Sequence, residues 1–171
     1  MGEERALAIY FVLSSHTRST ASSIDCDRVV YYSDYVDRED NWSNEEYLKN
    51  LQEGDELGRK MMHAFEWGFR QHYKRVCIIG TDCMELTPAI LKDAFETLAR
   101  KDVVIGPAVD GGYYLLGMNQ FIPQLFINKK WSTETVYNDT VQDLKRLRYT
   151  YGLLPTLRDI DHETDLPQKL R

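Results

Sequence analysis

The sequence predicts an α/β domain of three layers, with helices on both faces of a mainly parallel sheet. Three observations carry that prediction. Two short runs rich in valine and isoleucine, Val76-Cys77-Ile78-Ile79 and Val103-Val104-Ile105, have the composition of strands buried on both faces. Longer stretches with apolar residues at helical spacing lie between and around them, so strands and helices alternate along the chain. Both runs also end in small and acidic residues, Gly80-Thr81-Asp82 and Gly106-Pro107-Ala108-Val109-Asp110. Chains leave the C-terminal edge of an open sheet in this way, and open α/β sheets bind their ligands at that edge.

Residues 3–15 carry Ala6, Leu7, Ile9, Tyr10 and Leu13 at a helical period. Residues 28–33 are a short β-rich run. Residues 34–50 are polar and acidic, with Trp42 and Tyr47 as isolated aromatics, and read as a loop with at most a short helix. Met61, Met62, Phe65, Phe69 and Tyr73 form a stripe that predicts a helix over 55–72, followed by a strand over 76–81. Thr87-Pro88 opens the next helix, with Thr87 as cap and proline where its missing N–H costs nothing. Its buried face is Ile90, Leu91, Ala94, Phe95 and Leu98. A strand over 103–105 follows, and 111–117 is a further strand or hairpin arm. Trp131-Ser132-Thr133-Glu134 starts a helix running through Val136, Val141, Leu144 and Leu147, capped by Ser132 or Thr133. Leu153-Leu154 opens a last extended piece ending at Asp159-Ile160-Asp161, and a short acidic helix closes the chain.

The 171 residues suit one domain, 1–171, with a substantial core. A net charge of -6 offers no basic footprint for nucleic acid. No apolar run approaches the roughly 20 residues of a membrane span, and the N-terminus does not resemble a signal peptide. Cys26, Cys77 and Cys83 form an odd set without metal-ligand spacing, which fits reduced thiols in the cytoplasm.

Asp82 is the first candidate for chemistry. A carboxylate just past a buried strand either ligates Mg²⁺ or Mn²⁺, ions shared with substrate phosphates, or caps the next turn. Asp110-Gly111-Gly112 arrives one strand later. It is either an ordinary Asp-Gly turn or a place where paired glycines let backbone approach a ligand. Gly54-Asp55-Glu56-Leu57-Gly58 is a helix entry or one wall of a nucleotide pocket. Asp159, Asp161, Glu163 and Asp165 form an acidic run, solvated surface or the source of a second metal ligand. Walker-type loops, Gly-x-Gly-x-x-Gly and hydrolase triads are absent from the sequence.

Five motifs occur in order: Asp55-Glu56-Leu57-Gly58-Arg59-Lys60-Met61, Ile79-Gly80-Thr81-Asp82-Cys83, Gly106 to Tyr113, Trp131-Ser132-Thr133 and Asp159-Ile160-Asp161. Together they resemble DUF2064, also called radical-SAM/selenodomain-associated transferase 1. That group is glycosyltransferase-A-like and similar to the nucleotide-diphospho-sugar transferase superfamily. The resemblance implies a metal-dependent glycosyl or nucleotidyl transfer from a nucleotide-sugar or nucleoside triphosphate donor to a small-molecule acceptor. It implies Asp82 and Asp110 as catalytic residues and Gly54, Gly58, Thr81 and Asp82 on the nucleotide side. Gly111, Gly112, Tyr113, Trp131, Ser132 and Thr133 fall on the acceptor side, and Asp82 with Asp161 hold Mg²⁺ or Mn²⁺. The family also has a first strand and a Gly-Lys-x-Lys-Thr-Arg-Leu loop, whereas this chain opens at residues that match the family's segment C-terminal to that loop. The alternative is therefore a non-catalytic or truncated nucleotide-binding domain, or an oligomerising domain whose open sheet edges pair between copies in a homo-oligomer.

Overall fold

A computed structural model describes residues 2–160 and 165. Its strands fall in two sheets. β1 (Val29–Tyr32) and β2 (Leu48–Leu51) form a parallel pair. β3 (Val76–Ile79), β4 (Val103–Pro107), β5 (Tyr113–Met118) and β6 (Tyr151–Leu153) form the larger sheet in the order β3-β5-β4-β6. β3, β4 and β6 point one way and β5 runs against them, so the ladders of β5 are antiparallel while β4 and β6 pair in parallel. The reversal follows from chain length: only residues 108–112 join β4 to β5, enough for a turn and too few for the crossover a parallel partner needs.

The described residues include four α-helices: α1 (Glu3–Ser22), α2 (Leu57–Arg70), α3 (Pro88–Leu98) and α4 (Val136–Leu147). One face of the larger sheet, with Val103, Ile105, Leu116 and Met118, packs against Met61 and Phe65 of α2 and Leu144 of α4. A 3₁₀ turn at Pro123–Phe126 adds Leu125 and Phe126 to that layer. The other face, with Val104, Tyr114 and Leu115, packs against Leu91, Ala94 and Leu98 of α3. Strand alternation thus separates two apolar cores, and the three-layer expectation holds. Tyr113 and Tyr114 point to opposite faces as alternation requires. Leu115 shares the face of Tyr114 because the register slips there: Gly106 opposes Leu115 while Pro107 opposes Tyr113, a bulge with Tyr114 as the extra residue.

The α2 stripe and the Thr87 cap form as predicted, and the Thr87 hydroxyl accepts from the Ile90 N–H at 3.3 Å. Three local readings are corrected. Residues 34–50 are not merely a loop, since their end enters β2. Asp40 organises them by accepting from the Tyr32 hydroxyl (2.6 Å), the Lys49 ammonium (2.7 Å) and the Trp42 N–H (3.0 Å). Neither Ser132 nor Thr133 caps α4, because the Thr133 hydroxyl donates to the Lys130 carbonyl at 2.9 Å and Ser132 is left-handed at φ 57°. α1 continues past residue 15 to Ser22. Its second half is fastened by Leu13, Thr17 and Thr20, while Leu7, Tyr10 and Phe11 in its first half stay exposed. The closing acidic helix lies outside the described residues apart from Asp165.

Candidate active site

β3 and β4 run in the same direction, so Asp82 and Asp110 leave the sheet at the same edge. They are not at neighbouring strand ends. β5 lies between β3 and β4, which places the two strand ends about 10 Å apart at ordinary strand spacing. That separation keeps the two carboxylates apart along one sheet edge.

The last described segment, residues 154–160, ties this edge together. Leu157 bridges Ala108 in parallel, with its N–H on the Pro107 carbonyl (3.1 Å) and its carbonyl accepting from Val109 (3.0 Å). The Tyr114 hydroxyl, its ring laid over Gly106, donates to the Pro155 carbonyl at 2.9 Å. The chain then crosses toward β3. The Arg158 N–H donates to Glu85 Oε2 at 2.9 Å, and the Ile160 N–H donates to the Asp82 carbonyl at 3.0 Å. Asp159 therefore lies beside Cys83, where its charge acts on the thiol. Asp159 was legible in the acidic run, whereas Glu85 carried no signal: 74 positions separate the two and only the fold brings them together. Asp161 lies outside the described residues, directly after the residue that holds Asp82.

At Asp82, Gly80 makes room: a β-carbon there would sit 2.5 Å from Asp82 Oδ1. Thr81 is exposed, its carbonyl taking a 3.4 Å hydrogen bond from Thr17 of α1. Among the described residues no three His, Cys, Asp or Glu side chains gather as a metal cage. The donor set on this edge is carboxylate oxygen, which suits Mg²⁺ or Mn²⁺ held by one or two protein ligands and completed by phosphate and water.

At Asp110 the turn reading is realised in full. Its carboxylate accepts the Gly112 N–H at 2.8 Å, and Gly111 is left-handed at φ 91°. Gly111 packs against the Glu134 carbonyl and accepts from the Tyr137 N–H at 2.9 Å, so the turn seats the start of α4. Trp131 stacks on Phe126 (centroids 6.0 Å apart) and lies directly on the Cα of buried Gly58, leaving no space for a β-carbon. Gly54 makes a left-handed turn against Arg59 just before α2. The structure therefore joins Gly58 to Trp131 and Gly111 to residues 131–135 in one wall. Tyr113 does not face this edge. Its hydroxyl is buried beside Thr140 of α4, whose own hydroxyl is engaged with Val136 and Lys129.

Cys83 and Cys77 are held as neutral thiols. Burial, joined at Cys83 by the charge of Asp159, pushes both thiols up to about 12. Burial raises the Cys26 thiol as well, so Ellman's reagent at pH 8 is expected to titrate at most one thiol, slowly and at Cys26, in the native protein and three in denaturant. Rapid release of three thiols from folded protein would contradict this burial. Because the folded values lie above the ordinary value of 9.0, the protonated thiols contribute stability that is complete below about pH 9. That contribution drains away as pH rises toward 12.

The model of a family described as "Uncharacterized protein conserved in bacteria (DUF2064)" matches residues 16–133. The structure is similar to a crystal structure from Desulfovibrio desulfuricans G20, provisionally described as a nucleotide-diphospho-sugar transferase. The TM-score is 0.87 at 28% identity, over 94% of this chain and 72% of that one. No functionally curated protein matches the sequence significantly. No helix among the described residues is long and apolar enough to cross a membrane.

Proposed function

We propose that this chain, which belongs to the DUF2064 family, is a metal-dependent transferase acting on a nucleotide-sugar or nucleoside triphosphate donor. The observation that carries the reading is the pinned pair of segments at the sheet edge. Asp82 ends β3, and the Asp159–Ile160 backbone is fastened to it by the Ile160 N–H, in a fold superposing at TM-score 0.87 on a provisional nucleotide-diphospho-sugar transferase. Asp82, with Asp161, would hold Mg²⁺ or Mn²⁺ against the donor diphosphate. When bound, that ion supplies Lewis-acid neutralisation of the leaving phosphate. The chain's own contribution is position: the 158–160 crossing fixes Asp82, and the wall of Gly58, Asp110–Gly112 and Trp131–Thr133 receives the acceptor about two strand spacings away. Three unpaired cysteines suit a reducing cytoplasm.

A second reading is a nucleotide-binding or oligomerising domain without catalysis. The split sheet favours it, since β1 and β3 each have an edge that carries no ladder among the described residues. A thermal-shift panel of nucleotide sugars and nucleoside triphosphates, each with and without Mn²⁺, tests both. The transferase reading expects stabilisation by a donor that depends on Mn²⁺. No shift with any donor would sink it for this chain, and stabilisation indifferent to metal would favour the second reading.

A further inference from the structure

We infer that residues 128–133 form a strained acceptor loop held in shape from behind by Lys129, a positioning residue for Trp131, Ser132 and Thr133. The inference rests on the reading of those three residues as the acceptor side. Asn128 and Ser132 are both left-handed, at φ 56° and 57°. Neither is glycine, and such residues persist only where their surroundings fix them. Asparagine tolerates that conformation and serine less so, and the structure supplies two anchors around them.

The first anchor is Lys129. Its side chain is 1% exposed, and its ammonium donates to Thr140 Oγ1 at 3.0 Å and to Asp143 Oδ2 at 3.1 Å, both on α4. Asp143 Oδ1 accepts from Arg146 at 2.7 Å, so the carboxylate is held on both sides. A buried ion pair is a poor means of adding stability, because desolvation offsets most of the attraction. It is strict about geometry, since loss of the partly exposed Asp143 leaves the enclosed Lys129 ammonium without its counter-charge. The second anchor is Trp131, clamped between Phe126 and Gly58. Lys130 between them and Ser132 and Thr133 just after them are exposed, and the Thr133 hydroxyl closes the turn on the Lys130 carbonyl. The loop leads into Glu134, whose carbonyl packs on Gly111 at the site edge. The hydrogen bonds of the Lys129 ammonium go to α4, away from Ser132 and Thr133. Lys129 acts through the backbone that presents its neighbours.

The test compares wild type with Asp143→Asn and with the double variant Lys129→Met/Asp143→Leu, which replaces the ion pair by apolar side chains, leaves no unpaired ammonium and keeps the fold testable. In protein labelled with 5-fluorotryptophan, ¹⁹F NMR gives one line for each of Trp42, Trp67 and Trp131. In both variants the Trp131 line is expected to shift and broaden while the other two hold. Tryptic cleavage after Lys130 is expected to accelerate about tenfold as the open population grows. An unmoved Trp131 line with unchanged cleavage in the folded double variant would overturn the assignment. So would equal movement of all three lines, the mark of a general packing defect. The Mn²⁺ response of wild-type protein, followed by water-proton relaxation, reports on the metal reading alone, so the failure of that reading is told apart from failure of the loop assignment.

Discussion

Asp82→Asn is expected to erase the rise in Tm that Mn²⁺ and a donor together give wild type, and to lower donor turnover about 10²- to 10³-fold. A ligand at a hundred times its Kd stabilises by about 2.7 kcal/mol. In a chain of this length that is worth roughly 5–10 °C, well within the reach of a thermal-shift assay. Asparagine keeps the shape and the backbone carbonyl that Ile160 binds, so the apo Tm is expected to move by less than about 2 °C. Asp110→Asn separates the two halves of the cleft. It leaves the β3 end untouched and retains the acceptor of the Gly112 N–H, so Mn²⁺-dependent donor stabilisation should survive. If Asp82→Asn keeps its full metal-dependent shift, the carboxylate is a turn residue and the metal assignment fails.

The contrast between Asp82 and Asp110 shows what was legible before the fold was known. Both carboxylates could be read as strand-end residues, because an apolar run followed by small and acidic residues has one simple meaning in an α/β chain. Their separation could not, because it depends on β5 entering between β3 and β4 as an antiparallel strand. Helix α2 was legible from one stripe of apolar residues. Strand β2 was not: Leu48-Lys49-Asn50-Leu51 has no β-branched residue, and it becomes a strand through its ladder with β1 and the grip of Lys49 on Asp40. Lys129 lay below any pattern. Lysine is so regularly exposed that a buried one announces itself only when its partners on α4 are seen. Likewise the start of α4 carries Ser132-Thr133 in the style of a cap, but the seat offered by Gly111 fixes that backbone and leaves the hydroxyls to the turn.

That seat makes Gly111→Ala the substitution with the largest expected effect on stability, about 3 kcal/mol. The backbone there is at φ 91°, where a β-carbon costs about 1–2 kcal/mol. That carbon would also overlap the Glu134 carbonyl oxygen and lie 2.7 Å from its carbon and 2.8 Å from its Cα. These are main-chain atoms and cannot swing aside. Val136 holds the Thr133 carbonyl and Tyr137 holds Gly111 itself, so relief requires the start of α4 to move, at an overpacking cost of about 1–3 kcal/mol. Tm should fall by roughly 6–12 °C. Gly112→Ala is the control. Its φ is ordinary and its nearest neighbour is the rotatable Asp110 carboxylate at 3.2 Å, so the change should cost less than about 1 kcal/mol. Because Gly111 supports the 131–135 wall and not the β3 end, the surviving folded fraction of Gly111→Ala should still show the Mn²⁺-dependent donor shift while losing acceptor-dependent turnover. Equal stability of the two alanine variants would mean that the Gly111–Glu134 contact is not made in solution. Loss of the donor shift in Gly111→Ala would mean that the two ends of the cleft are not the independent halves that the strand order implies.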